Sequence, residues 1–322
     1  MTASPSLRTI PSEEVDTTGS WLFWAKPPDD AFLRSIAEQG QLEPVLITEE
    51  SRIPLLVAGY KRVLACRALE REVLALPLGR LERITKGRIY LESNRQCCPD
   101  VSDIVLAGRY FYNLLQTKDL MGLVQEIAGA EAGKKLPELI TTWLCLPPEW
   151  DEFLQSGHIP VQAAETLVRL SAEDLASLHP FFRELRWSKN NAQQFLTWLE
   201  EAASRERTTL SRLIEWNGLQ RILEQKLSPK DKIQRLVQKA RETRYPYLCG
   251  LEAEFASVTK EVESTSPWRI SPDKSFESDR VHLAVFLGSR QELQNAAQEL
   301  NRLLEDGVLD RIWDWQRRQL KG

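Results

Sequence analysis

Lys61 and Arg62 stand side by side just after Gly59, where an apolar run (Leu55, Leu56, Val57, Ala58) gives way to an amphipathic segment over 62–69. Strand, glycine, helix start: this order leaves backbone N–H groups of the first helical turn without partners. Glycine lets the chain turn sharply and lets a ligand come close to the backbone. Two cations beside free N–H groups suit an anion, and phosphate above all. Gly59, Lys61 and Arg62 are therefore the first candidate site residues.

The flanking sequence supplies elements to hold that corner. Asp29 and Asp30 precede an apolar pattern over 31–39 that predicts a short helix with acidic residues at its positive end, closed by Gly40. Residues 44–48 and 53–58 read as strands on either side of a polar turn. A further strand is expected over 73–78, with Pro77 marking an edge strand or a strand's end. Beyond residue 101 the periodicity becomes helical and stays so to about residue 259. It includes two short helices, 119–128 and 137–146, separated by residues 129–135. After residue 263, strands over 269–271 and 281–287 precede a helix over 290–304 capped by Ser289.

At 322 residues the chain has room for two or three domains with real cores. No apolar run is long enough to span a membrane. Residues 1–6 lack the basic start and apolar block of a signal peptide, so a cytoplasmic location is expected. Five scattered cysteines argue against a disulfide framework. The vicinal pair Cys97 and Cys98 lacks matching His or Cys spacing, so zinc is not expected there. The net charge of −4 is unevenly spread: residues 101–180 carry five cations and eleven anions, residues 204–244 eleven cations and five anions. A polyanionic partner would prefer the later segment.

Residues 31 to about 175 resemble ParB-type partition proteins, the CTP-dependent DNA clamps of bacterial chromosome and plasmid segregation. Gln41-Leu42-Glu43-Pro44-Val45-Leu46-Ile47 is similar to the family's Gly-Leu-x-x-Pro-Ile strand. Leu56-Val57-Ala58-Gly59-Tyr60-Lys61-Arg62-Val63-Leu64-Ala65 is similar to its Leu-Val-Ala-Gly-Glu-Arg-Arg-x-x-Ala phosphate motif. Glu92-Ser93-Asn94-Arg95-Gln96 sits where the family has Glu-Asn-x-x-Arg. Leu146-Pro147-Pro148 and residues 154–160 resemble elements that follow its helix-turn-helix. The resemblance implies that Gly59, Lys61, Arg62 and Arg95 hold nucleotide phosphates. It places Glu92 at the attacking water and Glu92 with Ser93 at Mg²⁺. The departures are Tyr60 for an acid, Lys61 for an arginine, Ser93 for an asparagine and Gln96 for the terminal arginine. Phosphate binding tolerates these changes better than hydrolysis does, so a weak CTPase is the most the resemblance implies. Sulfiredoxin shares the fold, but Tyr60 stands in place of its cysteine nucleophile, and no His, Asp and Glu cluster supports a nuclease.

For DNA, the helix over 136–144 offers Lys134, Lys135, Thr141 and Thr142 to a major groove. The basic helices from Arg205 to Arg244, with Arg235 and Lys239 among their cations, offer nonspecific phosphate contacts. The structural alternative for each is a solvated face of a helical bundle. Trp143, Trp150, Trp187 and Trp198 read as core anchors.

The expected fold class is α+β and mainly helical. A ParB/sulfiredoxin-like α/β domain (1–97) would be followed by a helix-turn-helix-type domain (98–180), a basic helical region (181–263) and a small α/β unit (264–322). The expected function is a ParB-like DNA-binding, partition-type protein, gated as a homodimer by CTP and Mg²⁺. Its expected partners are DNA and a ParA-like ATPase, at the nucleoid. The alternative is a degenerate ParB-fold adaptor that binds protein partners without nucleotide turnover.

Overall fold

A computed structural model describes residues 6–50, 52–129, 133–272, 276, 278 and 280–319. The N-terminal residues 1–5 of the signal-peptide reading, and 130–132 between the two short helices, lie outside the described residues. The chain is mainly helical and divides into two units, residues 1–197 with 209–233 and residues 198–208 with 234–322.

In the first unit, β1 (Arg8–Pro11), β2 (Val45–Thr48), β3 (Leu55–Ala58) and β4 (Glu72–Pro77) form one sheet in the order β1-β4-β2-β3. The β2–β4 pair is parallel and the other two are antiparallel. The edge reading of the third predicted strand is thereby corrected. β4 is paired on both sides, and Pro77 is tolerated because it is the last residue of the strand. β1 was not anticipated: its four residues are mostly exposed and gain their strand character from β4.

Helix α1 (Asp30–Gln39) starts where Asp29 accepts a hydrogen bond from the Phe32 N–H at 2.8 Å, and stops at Gly40, whose φ is 75°. Helix α2 (Tyr60–Ala68) returns across the sheet. Val45, Ile47, Leu56, Val63, Ala65, Cys66, Val73 and Ala75 close the core between them.

Helix α3 (Arg83–Ser93) then packs beside α4 (Val101–Tyr112). Gly87 permits the approach, since a Cβ there would sit 2.5 Å from the Phe111 ring. A buried lysine ties α3 to the sheet domain. Lys86 is 5% exposed, its Nζ donates to Glu50 at 2.5 Å, and it lies 4.8 Å from the Trp21 ring centroid.

Helices α5 (Thr117–Ala128) and α6 (Lys135–Trp143) pack on α4. Asp151, at the start of α7 (Trp150–Gln155), anchors this group. It accepts from Arg109 Nε and Nη2 at 2.8 and 3.0 Å and from the buried Trp143 indole at 2.8 Å. Helices α8 (Ala164–Leu167), α9 (Ala172–Glu184), α11 (Leu210–Trp216) and α12 (Leu219–Glu224) complete the unit. The unit boundaries fall within α10 (Lys189–Glu206) and α13 (Pro229–Arg244). Trp143, Trp150 and Trp187 are buried as expected, and Trp198 partly so.

The second unit adds α14 (Pro246–Thr265), the hairpin strands β5 (Arg269–Pro272) and β6 (Val281–Ala284), α15 (Arg290–Glu305) and α16 (Val308–Gln319). Its core gathers Phe255, Val262, Ile270, Leu303, Ile312 and Trp315. The strand expected over 281–287 ends at Ala284, and Phe286 beyond it is exposed.

Two outcomes follow. The hydrogen bond from Lys86 holds the Glu50 carboxyl below its ordinary value of 4.5, outweighing the opposing effect of burial. The pair therefore stabilises the fold above about that value and loses its contribution as pH falls through the lowered one. Lys86→Met should flatten the acid limb of the stability–pH curve, measured by urea unfolding at several pH values; an unchanged limb would remove this role. Gly59→Ala should cost about 2–4 kcal/mol from left-handed strain and overpacking, read from denaturant midpoints, and a loss within error would contradict it.

Candidate functional site

The corner between β3 and α2 is built by Gly59. Its φ of 103° and ψ of 30° are left-handed, and a Cβ would lie 2.7 Å from Val45 Cγ1. Both facts demand glycine. Its carbonyl accepts from the Arg62 and Val63 N–H groups at 3.0 and 3.2 Å, and among the described residues the N–H groups of Tyr60 and Lys61 at the helix start have no backbone acceptor.

That start opens into a cleft of about 590 Å³. Its lining includes Gly59, Tyr60, Lys61 and Arg62, with Phe32, Glu43 and Pro44. Trp24, Lys26, Tyr90, Ser93, Asn94, Cys97, Cys98 and Asp103 line the same space. A cleft of this size with aromatic walls and a few cations fits a small organic anion.

The cations differ in state. Lys61 is exposed and makes no ion pair among the described residues. Arg62 is half-buried and already engaged: its guanidinium donates to the Glu43 carboxylate and, at 3.5 Å, to the Pro44 carbonyl. Tyr90 accepts from the Trp24 N–H at 3.4 Å, and burial pushes its hydroxyl up to about 12, so it remains neutral in ordinary buffers.

The structure lines one cleft with Gly59, Lys61, Arg62 and Ser93. Glu92 and Arg95 lie next to it, in a space that shares Trp24, Asn94, Cys97 and Pro99 with the first. Both line a neighbouring cavity of about 440 Å³ with Arg88, Leu123 and Glu126. Arg95 donates to Glu92 at 2.9 Å and to Glu126 at 3.3 Å. Glu92 lies in the last turn of α3 and Arg95 two residues past its end, a spacing that lets the two side chains meet.

No group of three or more His, Cys, Asp or Glu suited to a metal occurs among the described residues. Within the cleft, Asp103 is spent in the capping box of α4, and Asn94 donates its amide to the Tyr90 carbonyl at 2.8 Å.

Trp24, Phe32, Asn94 and Glu43 were not singled out by the sequence. Asn94 had a visible signal, lying one position from the residue compared with the family's asparagine. Glu43 had none, since its importance comes from a contact nineteen residues away.

The DNA candidates are divided between the units. On α6, Lys134 and Lys135 are exposed. Thr141 and Thr142 turn their hydroxyls back onto their own helix, donating to the Glu138 carbonyl at 2.9 and 2.8 Å. In the second unit Lys239 pairs with Glu242 at 3.7 Å, and Arg235 is exposed on the same helix, α13. Neighbouring cations are consumed there too. Arg241 forms a fork with Glu252, donating twice at 2.6 Å, and Arg244 pairs with Glu201 at 2.6 Å. Those partners hold both guanidiniums above their ordinary value. The open basic surface expected over 205–244 is thus partly neutralised within the second unit.

No family model matches the chain, and no curated protein does. Solved structures similar to it include the C-terminally truncated chromosome-partitioning protein ParB from Caulobacter crescentus complexed with CTP-gamma-S. That chain is 21% identical, with 55% of this chain and 98% of that one covered and a TM-score of 0.24. The same truncated protein complexed to the centromeric parS site is 14% identical, with 59% and 98% covered and a TM-score of 0.34. At such scores neither likeness bears on function.

The site geometry makes one direct forecast. If the α6 face meets DNA, replacing Lys134 and Lys135 by Ala should weaken retention of random duplex and lower the slope of log affinity against log salt by about 2. An unchanged slope in a filter-binding series would assign that face to packing alone.

Proposed function

We propose that the cleft binds a nucleoside triphosphate, CTP in the first instance, with its phosphates at the start of α2. Its base would lie against the aromatic side chains Trp24, Phe32 and Tyr60. On this reading the chain is a ParB-like, partition-type DNA-binding protein whose DNA engagement depends on nucleotide. One observation carries it: the left-handed Gly59 corner presents leftover N–H groups, Lys61 and Arg62 to a cleft with aromatic walls. An aromatic heterocycle joined to a polyanion is the ligand class that uses both features.

The reading does not require turnover. Glu92, the carboxylate assigned to hydrolysis, faces the neighbouring cavity and pairs with Arg95. Mg²⁺ enters this reading as a companion of the nucleotide's phosphates, with no cage of protein ligands. Dimerisation and a ParA-like partner belong to the same proposal through the motif resemblance. The second reading, an adaptor that binds proteins and neither nucleotide nor DNA, is favoured by the internal ion pairs of Arg241 and Arg244 and by the inward hydroxyls of Thr141 and Thr142.

Calorimetric titration with CTP, with and without Mg²⁺, separates the two. Saturable binding is expected, and Arg62→Ala should weaken it about tenfold to a hundredfold, the range for one hydrogen bond to a charged group. No heat at millimolar CTP would leave the adaptor reading standing.

A further inference from the structure

We propose that Glu43 is a tethered competitor for the phosphate position: in the resting protein its carboxylate holds the Arg62 guanidinium, and an entering polyphosphate takes its place. This rests on the reading of the cleft as a nucleotide site. A guanidinium's N–H edges match carboxylate and phosphate alike. The Glu43 carboxylate sits on Nη2, which belongs to both edges, so a phosphate gripping either edge with two hydrogen bonds needs the position that Glu43 holds.

The tether is well defined. Gln41 donates its side-chain amide to the Glu43 carbonyl at 2.9 Å and to the Leu74 carbonyl at 2.7 Å, while its own oxygen accepts from the Leu74 N–H at 2.8 Å. The backbone at residue 43 is thereby fastened to β4. Pro44 follows with its φ fixed by the ring, and its carbonyl receives Arg62 on the other side of the guanidinium.

The two side chains are unequal. Arg62 is the inner partner, 29% exposed, and Glu43 the outer, 72% exposed. Among the described residues the carboxylate has no other hydrogen-bond partner. It can swing into water without breaking any further contact. Pairs this exposed are weak, so a multiply charged ligand displaces the carboxylate. A free monoanion must compete against an acid held at high local concentration. Glu43 also faces the same cleft as Lys61, and its negative charge opposes any phosphate placed there.

The test uses the full chain and two probes, CTP and inorganic tripolyphosphate, titrated by calorimetry into wild type, Glu43→Gln, Arg62→Ala and the double variant. Glu43→Gln should tighten both probes by about threefold to tenfold, the sum of a weak surface pair and a removed repulsion. In the Arg62→Ala background the share due to the pair should vanish, leaving only the smaller gain from removed repulsion. Two results overturn the inference while leaving the nucleotide site intact. One is wild-type binding that Arg62→Ala weakens but Glu43→Gln leaves unchanged or weaker. The other is a Glu43→Gln gain that persists in full without Arg62. Absence of binding by both wild type and Glu43→Gln is a different failure, that of the nucleotide reading itself.

Discussion

The structure of the candidate site depends on one steric constraint, the approach of Gly59 to Val45. Strand β3 has to end, reverse and start α2 within a single residue, while β2 runs beside it as its antiparallel partner. The left-handed backbone at Gly59 makes the reversal, and the missing side chain lets Val45 sit under it. Everything useful for binding an anion is a by-product of that turn. Among the described residues it leaves the Tyr60 and Lys61 amides without acceptors, and it sets Arg62 in the first turn of the helix, where its guanidinium reaches the segment before β2. A larger residue would move α2 off the sheet and blunt the cleft at its base.

Electrostatics then decides how ready the corner is. Three cations and two carboxylates line the cleft, and the carboxylates are not spectators. Asp103 closes the capping box of α4, and Glu43 engages Arg62. The resting cleft is close to neutral, with Lys61 its exposed charge beside the helix start. The same economy recurs in the second unit, where Arg241, Arg244 and Lys239 each meet a carboxylate. A segment that looks strongly basic when its residues are counted is much less so once its partners are in place.

Much of the corner was legible because its signals are local. Asp29 and Gly40 punctuate α1, the apolar runs over β2 and β3 are uninterrupted, and Gly59 followed by two cations is contiguous. What escaped was set by distant contacts. β1 is four mostly exposed residues that become a strand only by pairing with β4, more than sixty positions away. Helix α3 carries a glycine and scattered charges, so its periodicity is faint; its interior lysine is explained only by Glu50 and Trp21. Glu92 and Arg95 pair with each other, a contact that the order of residues along the chain does not show. Sequence order fixes spacing, whereas facing is fixed by how the helix docks.

The most direct measurement is amide chemical-shift mapping of the labelled full chain during titration with CTP. The account predicts that the largest shifts fall on Tyr60 and Lys61, whose N–H groups lack acceptors in the resting fold, with a smaller response at the Trp24 indole. Unmoved Tyr60 and Lys61 amides alongside shifts elsewhere would contradict it.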